Sequence, residues 1–295
     1  MAELTSNVTD TALVFEGGGM RAAYTSAVVT TLLDAGIFID WVGGISAGSS
    51  NLANYLSRDK LRARHSFVEF ANDPNIGDWR TFARGDGLFN AEYIYEHTSA
   101  PDEALPFDWD AFQANPARFR IGSFDCETGE TLYWGRDDVP TLRDLLVRVR
   151  ASSTMPVVMP PVNFEGKTYV DGALGTSGGI PLDAAQSDGM TKFLVILTQP
   201  RDYVKKPVSH AWAYRAHFRR FPAVAEALAT RHERYNATRE QLFELEKQGK
   251  AYLFFPEIMP IGNNERNVPR LEGVYAAGIG QAERELPAIK EFLGN

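Results

Sequence analysis

"TALVFEGGGMRAAYTSAVVTTLLDAGIFIDWVGGISAGSSNLANYLS", residues 11–57, is the stretch whose reading decides the fold. An apolar run at Thr11–Glu16 precedes three glycines and a helix-compatible segment over about residues 20–35. A second apolar run lies within residues 38–46, and "SSNLANYLS" (49–57) begins another helix. Strand, helix, strand, helix is the order that builds a parallel sheet covered by helices. Downstream, "ARFRIGSFDCETGETLYWG" (117–135) predicts a hairpin turning near Thr128 and Gly129. "KTYVDG" (167–172) reads as a short strand ending in a turn, and "KFLVILTQ" (192–199) and "AYLFFP" (251–256) as strands buried between helix layers. Residues 209–248 are mostly helical in pattern, with Pro222 restarting the helix, and a last helix covers about 271–292. The expected fold is α/β, a three-layer α/β/α sandwich with a mostly parallel central sheet. It forms one domain over residues 1–295, with a flexible lead-in at 1–10, a less periodic excursion capping the sheet at 72–116 and a helical region at 201–248.

Composition narrows the function. A chain of 295 residues is long enough to bury a large core. Its 44% hydrophobic and 23% charged residues are those of a soluble globular protein. The net charge of −8 removes any general electrostatic reason to bind nucleic acid. Cys126 is the single cysteine, so an internal disulfide and a multi-cysteine metal centre are excluded; neither metal nor cofactor is expected. "MAELTSNVTD" has neither the basic start nor the apolar core of a signal peptide, and no apolar run approaches the ~18 residues of a membrane span. A soluble, cytoplasmic protein is expected.

Chemistry enters with "GGISAGSS" (43–50), where Gly44-Ile45-Ser46-Ala47-Gly48 stands between a strand and a helix. G-x-S-x-G is the pattern of a nucleophile elbow, in which a tight strand-to-helix turn lifts the serine out of the sheet. A serine hydroxyl needs a proton acceptor. The five histidines, His65, His97, His210, His217 and His232, all lie in helix-like, mostly charged surroundings, and none follows residue 232. A Ser-His-Asp triad is therefore disfavoured. The alternative base is Asp171 in "KTYVDGALG" (167–175). In a dry cleft a carboxylate becomes a better proton acceptor, although Asp-Gly taken alone is an ordinary turn.

The three signals in this order, E-GGG-M-R, G-I-S-A-G and Y-V-D-G-A, resemble the patatin-like phospholipase family. "ASSTMPVVMPPV" (151–162) and Pro181 extend the resemblance, which covers about residues 12–200 and is nearest to bacterial single-domain members. It implies a Ser46 nucleophile, an Asp171 base, an oxyanion loop at Gly17, Gly18 and Gly19 with Arg21 beside it, and calcium-independent cleavage of lipid acyl esters. Two positions depart from the family pattern. Ala22 and Ala173 stand where glycine is usual.

Other readings stay open. An acyltransferase or thioesterase would use the same pair, and a non-catalytic lipid-binding protein would use the same scaffold. "GGGMRA" (17–22) also satisfies a dinucleotide fingerprint, with Asp40 as its ribose-binding acid. Arg21 is expected to hold the loop, for instance through Glu16. Trp79, Phe82, Leu88 and Phe89 are candidates for an acyl pocket, and Cys126 for a buried apolar position. Residues 201–239 carry nine Lys/Arg against three Asp/Glu, interleaved with Trp212, Tyr214, Phe218, Phe221 and Tyr235. That segment is either a face for anionic membrane or a solvated helical pair with a core of aromatics.

Overall fold

The computed structural model describes residues 4–84 and 87–294, without the side chains of Trp79, Phe82 and Ala83. Among these residues eight strands form one sheet: β1 (Val8–Phe15), β2 (Ile39–Ile45), β3 (Arg118–Asp125), β4 (Thr131–Trp134), β5 (Val162–Phe164), β6 (Lys167–Asp171), β7 (Phe193–Ile196) and β8 (Ala251–Phe254). The order is β5-β6-β3-β2-β1-β7-β8, with β4 also on β3. From β3 to β8 every neighbour along that path is parallel, while β4, β5 and β6 pair antiparallel. The sheet is thus mostly parallel, as expected.

The continuous apolar strands supply two cores because successive side chains point to opposite faces. Leu13, Phe15, Leu194 and Ile196 pack with α1 (Ala22–Asp34), α2 (Ala47–Leu56) and the C-terminal helix Val268–Leu293. Ala12, Val14, Val195 and Leu197 face the other way, against the helices Leu182–Ser187 and Pro222–Lys247. Helices therefore cover both faces, giving three layers.

β1 starts at Val8, three residues before the apolar run, so residues 8–10 are strand and not lead-in. Thr9 and Asp10 are solvent-exposed, and the pairing with β2 shifts register there, which hides the strand from a hydrophobic pattern. The excursion at 72–116 is built from short helices at Trp79–Arg84, Ala91–Glu96 and Trp109–Ala114. Asn90 and Asp108 cap the second and third by accepting backbone N–H groups. Phe70, Ile76, Phe89, Leu105 and Met159 form a small core of their own beneath it.

Phe112 ties the end of the excursion to the sheet, its ring lying 5.3 Å from that of Phe119 on β3 and 5.6 Å from Trp109. Phe112→Ala is expected to lower the unfolding free energy by about 3–5 kcal/mol in urea titrations, within a single transition.

Candidate active site

Ser46 stands between β2 and α2 at φ 56° and ψ −132°, a left-handed backbone that a non-glycine residue adopts only when its surroundings hold it. The surroundings do so. Its N–H donates to Ser152 Oγ at 2.9 Å, and the Ser152 hydroxyl donates to the Gly122 carbonyl at 2.6 Å. The Ser46 carbonyl accepts from the Ser49 N–H at 2.8 Å and the Ser49 hydroxyl at 2.6 Å. The flanking glycines are a packing requirement. A Cβ on Gly44 would stand 2.3 Å from the Gly48 carbonyl oxygen, and one on Gly48 would stand 2.4 Å from that of Phe15.

Asp171 reaches this turn through the sheet. β2 pairs with β3 as far as Ile45 opposite Gly122, and the next residue of β3, Ser123, lies opposite Asp171. β4 occupies the other edge of β3, so β2 and β6 share one edge, with their C-terminal ends meeting. Gly172 lets β6 end there, since a Cβ on it would lie 2.3 Å from the Gly122 carbonyl oxygen. The Asp171 carboxyl accepts the Ala173 N–H at 2.8 Å, at the point where the sheet brings it beside Ser46. Ser46 is 6% exposed and Asp171 5%. Burial raises the Asp171 pKa, opposed by the Ala173 N–H, the charge of Arg231 and the Ser46 hydroxyl.

The glycine loop closes over the pair. A Cβ on Gly17 would be 2.9 Å from that of Ser46. Gly17 N–H donates to the Gly179 carbonyl at 3.0 Å, and the Gly17 carbonyl accepts from the Thr198 hydroxyl at 3.1 Å. Gly19 takes φ +55° against the Asn263 carbonyl, which accepts the Met20 N–H at 2.9 Å. Arg21 is not the brace that the sequence suggests. Both carboxylate oxygens of the buried Glu16 are engaged elsewhere, by Thr198 N–H at 2.5 Å and the Tyr235 hydroxyl at 2.7 Å. Arg21 keeps a charge attraction to Glu16, with its Nε buried and unpartnered, and burial lowers its pKa. Ala22 and Ala173 are both buried without disturbing these contacts, Ala173 serving Asp171 through its backbone.

Three residues that the sequence did not single out for the site come from the helix Pro222–Lys247. Arg234 donates to the Leu174 and Gly175 carbonyls at 3.1 and 3.0 Å, Arg231 donates to that of Gly178 at 3.1 Å, and Tyr235 holds Glu16. Arg239 likewise turns inward, to the Pro200 and Arg201 carbonyls. Tyr235 and Phe218 are buried. Much of the basic and aromatic content of 201–239 is thus spent inside the fold. The excess of arginine was the visible signal; its inward direction was not.

An apolar cavity opens beside Ser46, walled by Met20, Phe67, Phe70, Phe89, Leu105 and Val149. Arg62 in its wall donates to Asn54 Oδ1, the Leu105 carbonyl and Ser99 Oγ. Of the four residues proposed for an acyl pocket, Phe89 lines this cavity and Leu88 supports the small core beneath the excursion; the side chains of Trp79 and Phe82 lie outside the described residues. No histidine lines the cavity; His65, His97, His210 and His217 are exposed, and His232 is half-buried on the helix Pro222–Lys247. Asp40 sits at the start of β2, roughly 17 Å from its C-terminal end at about 3.3 Å per residue, and so far from the glycine loop. That separation removes the support for a dinucleotide site. Cys126 is buried among apolar groups, with its thiol pushed up to about 12 by burial.

The family model for patatin-like phospholipase matches residues 13–185, and a second model, a domain of unknown function (DUF6363), matches residues 221–294. The uncharacterized protein YjjU of Escherichia coli (strain K12) is 30% identical over 201 residues, which cover 66% of this chain and 54% of that protein. The chain thus spans about half the length of that relative. VipD from Legionella pneumophila superposes with a TM-score of 0.50 at 13% identity, over 95% of this chain and 67% of that one, a likeness of fold alone. With more than half of its length matched and the sheet, elbow and aspartate turn in the order described, the chain belongs to the patatin-like phospholipase family.

Proposed function

We propose that the chain is a serine acyl hydrolase acting on lipid-like esters. The observation that carries the reading is the meeting of the C-terminal ends of β2 and β6 on one edge of β3, which sets Ser46 beside the buried carboxyl of Asp171. Asp171 takes the Ser46 proton as the oxygen attacks the ester carbonyl, and the backbone N–H groups of Gly18 and Gly19 receive the oxyanion, that of Gly17 being taken by the Gly179 carbonyl. Each such donor lowers the barrier by about 3 kcal/mol. The alcohol leaves with the proton, and water, activated by the same carboxylate, releases the acid from Ser46. The cavity walled by Phe70, Phe89 and Leu105 takes the acyl chain. No step calls for a metal or a cofactor.

A fluorophosphonate probe tests the pair. Labelling at Ser46 is expected in the intact chain, to disappear in Ser46→Ala and to slow by about 10²–10⁴-fold in Asp171→Asn. Undiminished labelling in Asp171→Asn would remove the proposed base. The same variant carries a stability signature. Burial raises the folded pKa above the unfolded one, so the ionised side chain opposes folding once pH exceeds the unfolded range. Asp171→Asn is expected to raise Tm at neutral pH, with the gain vanishing below about pH 4.

Arg231 favours the charged form of Asp171. In Arg231→Gln the acid limb of the labelling rate should therefore move to higher pH, while Arg231→Lys leaves it near its original place. Leu105→Trp fills the cavity, and should lower kcat/KM for a palmitoyl ester by about tenfold or more with little change for a butyryl ester. Equal losses on both esters would place the acyl chain elsewhere.

A further inference from the structure

With the arginines of the helix Pro222–Lys247 turned inward, the exposed remainder of the basic segment is residues 204–220. It carries five Lys/Arg and no Asp/Glu in a chain of net charge −8. Within it, the helix Ala211–His217 and the turn that follows divide cleanly by period. Tyr214, Phe218 and Phe221 pack inward with Val224 and Phe124. Trp212, Arg215, Ala216 and Arg219 stand three and four positions apart on the outward face, and all are exposed. Trp212 is 70% exposed and Val204 67%. An exposed aromatic set among cations is the pattern of a headgroup-level anchor.

The position matters as much as the composition. His217 and Phe218 share a cleft with Val157 and Pro160, and Val157 is itself 45% exposed. On its other side the loop holding Val157 contributes Met155 and Met159 to the cavity beside Ser46. Four of the six large hydrophobic side chains exposed among the described residues, Val157, Val204, Val208 and Trp212, belong to this loop and segment.

We infer that Val204–Arg220, together with Val157, is a docking face for anionic lipid bilayers, with Trp212 at headgroup level and Lys206, Arg219 and Arg220 against the lipid phosphates, Arg215 being paired with Glu226. Docked this way, the loop that borders the acyl cavity lies at the bilayer surface. That last clause rests on the hydrolase reading; the binding itself does not.

Co-sedimentation of the full chain with phosphatidylglycerol-containing phosphatidylcholine vesicles, beside pure phosphatidylcholine vesicles, tests the face. Binding is expected to the anionic vesicles at low salt and to fall as salt rises. Each basic residue near such a surface contributes about a fivefold factor, so R219E/R220E should weaken partition on the order of 25-fold or more. W212S should weaken it without changing the salt dependence. Each of these side chains is exposed, and turnover of a soluble butyryl ester serves as the control for folding. A chain that hydrolyses the soluble ester but stays in the supernatant overturns the docking face alone. Binding by R219E/R220E equal to that of the unaltered chain overturns it as well. A chain that sediments but neither labels at Ser46 nor turns over the ester supports the face and overturns the hydrolase.

Discussion

One edge of one strand organises this molecule. β3 presents the same edge first to β2, running parallel, and then to β6, running antiparallel. Two strands that share an edge in this way must meet end to end. Here the meeting ends bring Ser46, just past β2, beside Asp171, with the ladder hydrogen bonds of the sheet fixing the approach. Gly122 is the pivot, with its carbonyl accepting from Ser152 while Gly172 passes close beside it. A methyl group at Gly172 would push β6 away and with it the carboxyl, which is why the aspartate is followed by glycine and not merely by some turn residue.

The second constraint comes from the far end of the chain. The stretch matched by the unassigned family model contributes β8 to the same sheet and the helix Pro222–Lys247 to one of its faces. From that helix, Arg231 and Arg234 bind successive carbonyls of the loop after Asp171, and Tyr235 fixes the carboxylate at the root of the glycine loop. Gly17 is bonded to Gly179 at the end of the same loop. The part of the chain that carries the family motifs is therefore completed by a part that carries none of them.

The strand–helix alternation, the hairpin at Thr128–Gly129 and the buried strands 193–196 and 251–254 were legible because apolar period and glycine placement are local properties. The elbow was legible for the same reason, since Gly44 and Gly48 answer to atoms a few residues away or on the adjoining strand. Asp171 needed more. Nothing in "YVDG" separates a base from a turn, and its selection rested on the order of motifs. The start of β1 at Val8 escaped notice because its outward residues are polar. The direction of Arg231, Arg234 and Arg239 could not be read, because a charged helix looks alike whether its arginines meet water or backbone carbonyls. Glu16 shows the same limit. Arg21 was its expected partner, yet tertiary packing brought Tyr235 and Thr198 to it instead.

The wide separation in sequence between Ser46 and the groups that surround it also sets when the site comes into being. The elbow and the glycine loop leave the ribosome early. The strand bearing Asp171 follows much later, and the helix bearing Arg231, Arg234 and Tyr235 later still. Such non-local pairings form slowly and only once the whole sheet is available. Ser46 consequently acquires its full set of neighbours only once the helix Pro222–Lys247 has also been synthesised and docked.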